Sequence, residues 1–238
     1  MQYILLVFFV MRQYTHQPST QHYFNQASQD PQSYFPIEWT VAWYKLKMQS
    51  ASGIFSAQEF DKGTKLLLKH FKLSSNFLSF SSSCSVLDLG CGYGLVSYFL
   101  ISRYASKISA LQRQLILDAC DSSPLAIDVT TANIHWLHSL RVTTHIQLSD
   151  ILSDQYFLSK TYDYILTNPP FSAGKATVQQ FLQQSYHHLN SWGQLRVVAP
   201  TQRWAKWYIE TTKELFGPDN VVVVALEWWF RIRKATKL

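Results

Sequence analysis

Apolar and polar positions are arranged differently in the N-terminal part of the chain and in the rest of it. Residues 1–11 form an uncharged apolar run, which is too short for a membrane helix because such a helix needs about 20 apolar residues. Residues 12–33 are rich in Gln, Ser, Thr and Pro, a composition typical of a loose segment. We therefore predict a loose N-terminal arm with an apolar extension over residues 1–33 and a folded domain over residues 34–238.

Beyond Glu38 the chain alternates strand-like and helix-like patterns. A short strand or hairpin is predicted over Trp39–Met48 and an amphipathic helix over residues 56–71. Seven further strands are predicted, at Val86–Leu89, Gln114–Cys120, Val142–Leu152, Thr161–Thr167, Ser191–Pro200, Val221–Trp228 and Trp229–Lys237. Helices are predicted after Gly94, from Leu125 to about Trp136, and over Lys175–Leu189. This alternation predicts a mainly parallel α/β sheet covered on both faces, with an antiparallel edge at the end.

The composition excludes several classes of protein. Apolar residues make up 47% of the chain while charged residues make up only 15%, which is the opposite of what disorder requires. The three cysteines cannot form a disulfide scaffold, and no Cys-x-x-Cys or Cys/His cluster predicts a metal site. The net charge of +6 permits an anionic partner. We expect a cytoplasmic protein without a metal ion and without stable membrane association.

The first core strand ends in a glycine-rich turn, Gly90-Cys-Gly92-Tyr-Gly94, ahead of a helix. Glycine permits a positive φ and lets a ligand approach the backbone closely. A dinucleotide-binding turn would have its third glycine at the position of Leu95, so a dehydrogenase is disfavoured. The tighter spacing favours S-adenosylmethionine, which has no phosphate, and Asp88 could lie near its cationic aminoacyl end. A tight turn without a ligand is the alternative.

Acidic residues follow the next two strands. Asp121 ends the second strand, where a carboxylate can accept hydrogen bonds from both ribose hydroxyls of a nucleoside. Its alternative role is to cap the following helix, in competition with Ser122 and Ser123. Asp150 follows the third strand and could accept from an adenine amino group, while Ile151 would cover the ring. The alternative for Asp150 is a solvated loop acid.

The fourth strand leads directly into Asn168-Pro169-Pro170-Phe171. The two prolines restrict the backbone, so the Asn168 side-chain oxygen and the Pro169 carbonyl oxygen can be held as acceptors. Together they could bind both N–H groups of an exocyclic amine, and Phe171 could stack on a planar target. Such a site would catalyse methyl transfer by position and electrostatics. A simple proline turn is the alternative.

These segments resemble the class I S-adenosylmethionine-dependent methyltransferases of the small-domain (MTS) type, which are related to the ribosomal RNA guanine-N2 methyltransferases. The resemblance extends over about His22–Lys237 and depends on the segments His22–Phe24, Gly53–Leu68, Val86–Gly94, Asn168–Lys175 and Phe230–Ala235. It implies a Rossmann-like class I methyltransferase fold over residues 34–238, with a mostly parallel seven-stranded sheet and an antiparallel edge strand.

The resemblance also implies roles that no local pattern indicates. Phe55, Gly63 and Thr64 would lie over the cofactor, with ordinary helix packing as the alternative for each. The chain departs from the family at Ser172, where the family often has His. Because only 84 residues precede Ser85, the second, duplicated domain of the larger rRNA enzymes is expected to be absent.

Basic and aromatic residues are interleaved towards the C-terminus, which favours an RNA substrate. Cations would bind phosphates, and aromatic rings would stack on unpaired bases. The candidate substrate-binding residues are Phe171, Arg203, Arg231 and Arg233, with Lys206, Lys234, Lys237, Trp204, Trp207, Trp228, Trp229 and Phe230 beside them in the sequence. The alternative is that the tryptophans belong to the core and the cations to a solvated face.

The function predicted from these features is methylation of guanine N2 in ribosomal RNA, with S-adenosylmethionine as the cofactor. The Asn168 turn does not distinguish guanine N2 from adenine N6 or from a protein glutamine amide, because all three present a conjugated NH2 group. A non-catalytic RNA-binding or assembly protein with the same fold is the alternative from another class.

Overall fold

The computed structural model describes residues 34–56, 61–75, 77, 81–137, 139–202, 204–227 and 230–238. The predicted arm over residues 1–33 lies outside the described residues. So do Arg203, Trp228 and Trp229 of the predicted RNA-binding region. The described part includes the core strands of the predicted domain and the segments that follow them.

Seven strands form the central sheet. They are β3 (Ser83–Leu89), β4 (Gln114–Asp121), β5 (Val142–Leu148), β6 (Tyr162–Thr167), β7 (Leu189–Pro200), β8 (Val221–Glu227) and β9 (Phe230–Thr236). Their order across the sheet is β5-β4-β3-β6-β7-β9-β8. Strands β3 to β7 pair in parallel, whereas β9 is antiparallel to both β7 and β8. The predicted α/β sheet with an antiparallel edge is confirmed, and the reversed strand β9 lies next to the edge strand β8.

Two apolar cores lie on the two faces of the sheet. One face carries α1 (Lys62–His70), α2 (Leu95–Ala110), α3 (Pro124–Ile134) and a hairpin of β1 (Tyr34–Val41) and β2 (Tyr44–Ala51). The other face carries α4 (Lys175–His187) and α5 (Ala205–Phe216). The hairpin predicted around Trp39–Met48 is confirmed, and its two strands pair in antiparallel register.

Helix α5 is an element that the sequence pattern does not predict. Its buried face consists of Tyr208, Thr211, Thr212 and Phe216, which follow the helical spacing of three and four residues. Half of that face is threonine, which counts as polar in a hydrophobicity pattern. The Thr212 hydroxyl donates to the Tyr208 carbonyl oxygen at 2.7 Å, so its burial is satisfied within the helix. Two of the four buried positions therefore contribute nothing to an apolar pattern.

The parallel pairing brings the predicted site segments to one edge of the sheet. Strands β3, β4, β5 and β6 have their carboxyl ends at this edge, where β4 ends at Asp121 and the other three are followed by Gly90, Ser149 and Asn168. Ligands of open α/β sheets bind outside the carboxyl ends of the strands. The fold thus collects residues that are far apart in the sequence into one place.

Candidate active site

The glycine-rich turn after β3 has the backbone that its sequence predicts. Gly90, Gly92 and Gly94 have φ values of 78°, 57° and 80°, which are left-handed. The Gly90 and Cys91 N–H groups both donate to the Cys120 carbonyl oxygen at 2.9 Å, which joins the turn to β4. At Gly94, an added Cβ would also lie 2.9 Å from the Thr130 side chain. The turn is therefore compact and leaves its outer backbone open to a ligand.

Asp88 is buried beneath this turn, with 1% of its surface exposed. Its carboxylate accepts hydrogen bonds from the Ser97 N–H at 3.1 Å and from the Ser97 hydroxyl at 2.7 Å. The pKa of Asp88 is raised to about 7, chiefly because burial disfavours the charged form; the bonds from Ser97 lower the pKa and the charge of Asp121 raises it. Asp88 lines the cleft, so its carboxylate can stabilise a cationic ligand there.

Asp121 is oriented at the end of β4 by two backbone donors. Its Oδ2 accepts from the Gly92 N–H at 3.0 Å, and its Oδ1 accepts from the Ser123 N–H at 2.9 Å. The N-cap of α3 is Ser123, whose hydroxyl accepts from the Ala126 N–H at 3.4 Å. The alternative reading of Asp121 as the helix cap is therefore wrong. Each carboxylate oxygen keeps a second acceptor position for a ligand.

Asp150 and Ile151 follow β5 at the same edge of the sheet. Asp150 is exposed, so its carboxylate is accessible from solvent. Ile151 has a φ of 56°, which is unusual and unfavourable for a β-branched residue. Its carbonyl oxygen lies 3.4 Å from the Cys120 thiol, which donates to it. The loop thus holds Ile151 in a strained conformation beside the end of β4, and the adenine-binding role of the pair stays a prediction.

Asn168, at the end of β6, contacts the beginning of α1. Its Nδ2 donates to the Asp61 carboxylate and, at 3.2 Å, to the Thr64 hydroxyl. Asp61 is the N-cap of α1, because it accepts from the Gly63 N–H at 3.0 Å and the Thr64 N–H at 3.1 Å. The sequence analysis did not include Asp61 among the site residues. A local capping pattern identifies the cap, but no local signal connects it to a residue 107 positions later.

The segment after Asn168 forms a tight turn with acceptors available. No described residue donates a hydrogen bond to the Asn168 Oδ1 or to the Pro169 carbonyl oxygen. Pro169 is buried and Pro170 is exposed, and a short 3-10 helix over Phe171–Ala173 follows. The two acceptors predicted for an exocyclic amine are therefore both present and both unused by the described residues.

Three residues that the family resemblance places over the cofactor have different surroundings. Phe55 lines the cleft with 72% of its surface exposed, and Thr64 lines it as well. Gly63 does not line the cleft. An added Cβ at Gly63 would lie 2.8 Å from Val198 and 3.3 Å from Phe230. Gly63 allows close packing of α1 on β7 and β9, and the cofactor contact predicted for it stays a prediction.

The predicted RNA-binding arginines do not form one surface. Arg231 is partly exposed, whereas Arg233 is buried with 1% of its surface exposed. The Arg233 guanidinium lies 5.7 Å from the ring centroid of Tyr208, beneath α5, and burial lowers its pKa. The prediction that Arg233 contacts RNA is therefore wrong, because α5 covers this position of β9. Arg203 lies outside the described residues.

A row of aromatic rings leads away from the Asn168 turn. Phe171 lies 5.9 Å from Tyr208, Tyr208 lies 6.4 Å from Trp207, and Trp207 lies 6.4 Å from Trp204. Lys175 places its ammonium group 5.3 Å from the Trp207 ring and 6.0 Å from the Trp204 ring. We call these five residues the aromatic row. The sequence analysis predicted the tryptophans as RNA contacts but did not include Lys175.

The glycine turn, Asp88, Asp61, Thr64 and Asn168 all line one cleft at the carboxyl edge of the sheet. A larger cavity of about 420 Å³ lies at the opposite edge, beside the first residues of β3 and β6. It contains none of the predicted site residues. Because ligands of this kind of sheet bind at the carboxyl edge, the cleft with Asn168 is the candidate active site.

Other types of site receive no support from the described residues. Among them, no group of three or more His, Cys, Asp or Glu side chains could hold a metal ion. Cys84, Cys91 and Cys120 are buried and free, and burial raises the pKa of each thiol. In this part of the chain, no helix has the length and apolar character needed to cross a membrane.

Comparison with known protein families shows the family to which the chain belongs. The model of the "Methyltransferase small domain" family matches residues 45–230. The chain belongs to the methyltransferase small domain family. The matched residues extend from β2 to the first residue of β9, so they include every strand end that carries the site.

Individual proteins are also similar to the chain. The uncharacterized protein YbxB of Bacillus subtilis (strain 168) is 30% identical over 191 residues, which cover 79% of this chain and 85% of YbxB. The "Ribosomal RNA small subunit methyltransferase C" of Idiomarina loihiensis is 31% identical over 205 residues, covering 81% of this chain and 52% of that protein. The chain thus spans about half the length of the rRNA methyltransferase that it matches.

A solved structure supports the fold independently. It is described as "T. Thermophilus 16S rRNA N2 G1207 methyltransferase (RsmC) in complex with AdoMet and Guanosine". It superposes with a TM-score of 0.63 at 18% identity and covers 87% of this chain and 52% of that chain. At this level of identity, the similarity shows that this small domain has the fold of RsmC.

Proposed function

We propose that this chain is an S-adenosylmethionine-dependent methyltransferase that modifies the exocyclic N2 amine of a guanine in ribosomal RNA. The observation that carries the proposal is the geometry of Asn168. Its amide nitrogen is bound by Asp61 and Thr64, while its oxygen and the Pro169 carbonyl oxygen have no described donor. Two adjacent acceptors of this kind match the two N–H groups of an amine.

The residues of the cleft fit the proposed cofactor. The described residues that line it include the carboxylates of Asp61 and Asp88 and no Lys or Arg. An acidic cleft suits a ligand with a sulfonium and an ammonium group, and it does not suit the pyrophosphate of a dinucleotide. The open backbone of the glycine turn and the two remaining acceptor positions of Asp121 suit the aminoacyl and ribose parts.

Each carboxylate has a separate part of the cofactor to bind in this proposal. Asp88 would stabilise the aminoacyl ammonium group, Asp121 would accept from the ribose hydroxyls, and Asp150 would accept from the adenine amino group. S-adenosylmethionine supplies an electrophilic methyl group on its sulfonium. Phe55 and Thr64 would cover the cleft from the side of α1.

The acceptor amine would be bound by Asn168 and Pro169. When both amine N–H groups donate to these oxygens, the nitrogen lone pair is turned away from conjugation with the base and towards the methyl group. Phe171 would stack on the base. The amine nitrogen would bond to the methyl carbon as the carbon–sulfur bond breaks with its electron pair going to sulfur, which leaves S-adenosylhomocysteine. No strong general base is needed, because the amine becomes acidic as it is methylated and its proton can pass to water. Catalysis then depends on position and electrostatics.

Three observations support ribosomal RNA as the substrate. The Idiomarina loihiensis relative is named as an rRNA methyltransferase, and the T. Thermophilus structure is described as a complex with guanosine. In the aromatic row, the partly exposed rings of Phe171, Trp204 and Trp207 lie near the exposed Lys175, so stacking faces and a cation are combined beside the site, while Tyr208 is buried and supports them. An rRNA substrate would place the protein in the cytoplasm, as expected from the sequence.

The test is methylation of ribosomal RNA purified from cells that lack this protein, with isotope-labelled S-adenosylmethionine and nucleoside mass spectrometry. We expect label in N2-methylguanosine. Asn168→Ala should lower the rate by at least about 100-fold while leaving cofactor affinity nearly unchanged. Gln179→Ala, an exposed change on α4, is the control. Label in N6-methyladenosine or in protein alone would contradict the guanine assignment.

A further inference from the structure

The Asp61 carboxylate is surrounded by donors at the point where α1 meets the end of β6. It accepts from the N–H groups of Gly63 and Thr64, from the Thr64 hydroxyl and from the Asn168 amide. The Thr64 hydroxyl in turn accepts from the Asn168 Nδ2 at 3.2 Å. Every hydrogen bond to Asp61 therefore places a donor against its carboxylate, and the Thr64 hydroxyl that accepts from Asn168 donates in turn to Asp61.

This direction determines how the Asn168 amide is turned. An ionised carboxylate can only accept hydrogen bonds, so an amide beside it must present its NH2 group. The two ends of an asparagine amide have nearly the same shape, and only hydrogen bonds decide between them. With the NH2 group on Asp61, the oxygen is left for a ligand. With the amide reversed, two donors would face the N–H groups of an acceptor amine.

Helix capping alone does not explain why this residue is an aspartate. Ser, Asn and Thr also cap helices, and a single oxygen satisfies the donors of the first turn. Asn is as good a cap as Asp, but its amide would present a donor to Asn168. A carboxylate is the side chain that accepts from the helix and from the Asn168 amide at the same time.

We propose that Asp61 is a positioning residue, which acts by fixing the Asn168 amide with its oxygen towards the acceptor amine. This inference rests on the proposed function and deepens it. Asp61 does not itself touch the reacting atoms in this proposal. Its effect is to exclude the orientation of the amide that would repel the substrate.

The first test is Asp61→Asn, which keeps the helix cap and removes the acceptor. We expect the Asn168 amide to turn its oxygen towards the new donor, so that kcat falls by about 10–100-fold, the scale of one lost transition-state hydrogen bond. Affinity for S-adenosylhomocysteine, measured by calorimetry, and the melting temperature should change far less. Unchanged kcat in a folded variant would overturn the inference.

The second test exchanges the amide and the carboxylate between positions 61 and 168. In Asn168→Asp, two carboxylates would face each other, and activity should be low. In the double variant D61N/N168D, the amide at position 61 donates to a carboxylate at position 168, whose other oxygen is again free to accept. We expect kcat of the double variant to exceed that of D61N by about 10-fold, since coupled hydrogen-bonding partners are strongly non-additive. A purely structural role for Asp61 would make the double variant worse than either single variant.

The third test does not depend on activity. In protein labelled with 15N-asparagine, the side-chain NH2 signal of Asn168 is identified by its loss in N168D. We expect this signal to move in D61N and in Asp61→Ser, which retains a capping oxygen, and to stay in Asp128→Asn, an exposed change on α3.

If the signal moves but no RNA is methylated by the unaltered protein, the proposed function fails and the positioning role stands. If RNA is methylated and the signal does not move, the positioning role fails alone.

Discussion

The carboxylates at the carboxyl edge of the sheet differ in what they already bind. Asp88 is buried and accepts from Ser97, whereas Asp121 and Asp61 accept from backbone N–H groups and are partly exposed. Asp150 is exposed. Their residue type is the same, so the surroundings of each one decide its chemistry. Burial raises the pKa of Asp88, whereas hydrogen bonds from neighbouring N–H groups orient the carboxylates of Asp121 and Asp61.

Asp121→Ala should weaken cofactor binding by about 1–3 kcal/mol, because the ribose hydroxyls would lose their acceptor. Calorimetric titration with S-adenosylhomocysteine measures this change directly. Asp128→Ala is a matched control, since it removes an exposed carboxylate from α3, the helix that follows Asp121 in the chain. Equal affinities of the Asp121 variant and the control would assign the ribose contact to another residue.

Asp88 makes stability depend on pH in the opposite direction to an ordinary aspartate. Its pKa is about 7 in the folded protein and near the usual 3.8 when the chain is unfolded. Between these values the folded state binds more protons than the unfolded state, so the free energy of unfolding falls as pH rises from about 4 to 7. Below this range both states are protonated, and above it the loss is complete.

Urea unfolding at pH 5 and at pH 8, with and without Asp88→Asn, tests this dependence. The unaltered protein should lose more unfolding free energy between the two pH values than the variant does, because the substituted amide does not titrate. An equal change in both proteins would show that Asp88 does not titrate in this range.

At the scale of elements, helix α3 holds the glycine turn and the hairpin together. The Thr130 hydroxyl donates to the Gly92 carbonyl oxygen at 3.0 Å. The Asn133 amide donates to the carbonyl oxygens of Gln49 at 2.8 Å and Tyr93 at 2.7 Å, and accepts from the Gln49 N–H at 2.7 Å. One side chain therefore satisfies backbone groups of two separate segments. Nothing in the local sequence distinguishes this asparagine.

Asn133→Ala should lower the free energy of unfolding by about 2–4 kcal/mol, because three backbone groups would lose their partner, one of them in a fully buried bond and two in partly buried bonds. Urea denaturation measures the change. Thr131→Ala is the control, since Thr131 is exposed and its hydroxyl bonds only within α3. A loss no larger than that of the control would show that water replaces the bonds.

At the scale of the whole molecule, two chemically different regions lie next to each other at the carboxyl edge of the sheet. The carboxyl edge carries the acidic cleft and, beside it, the aromatic row with Lys175. The cleft suits a cationic cofactor, and the row suits a nucleic acid. The net charge of +6 does not reveal this arrangement, because a cleft for a cationic ligand and a surface for an anionic ligand lie next to each other.

Lys175→Gln should weaken RNA binding and reduce the slope of log affinity against log salt by about 1, the effect of losing one phosphate contact. Fluorescence anisotropy with an rRNA fragment at several salt concentrations measures both quantities. Lys107→Gln is the control, because this exposed lysine lies near the end of α2, away from the carboxyl edge. The same slope in both variants would remove Lys175 from the interface.

The sequence by itself determined the succession of strands along the chain, the glycine turn and the residues at the strand ends. These features depend on short-range pattern and on backbone conformations that few residues allow, as at Gly94. The helix cap Asp61 also had a local signal. Helix α5 did not, because threonines form half of its buried face.

Only the tertiary structure decided which of these residues meet. It placed Asp61 against Asn168, buried Arg233 under α5, and turned Gly63 towards Val198 rather than the cleft. Each of these contacts joins segments that are far apart in the chain, and each depends on how a helix is seated on the sheet. Local periodicity carries no information on that seating, so contacts between distant elements become visible only when the chain is folded.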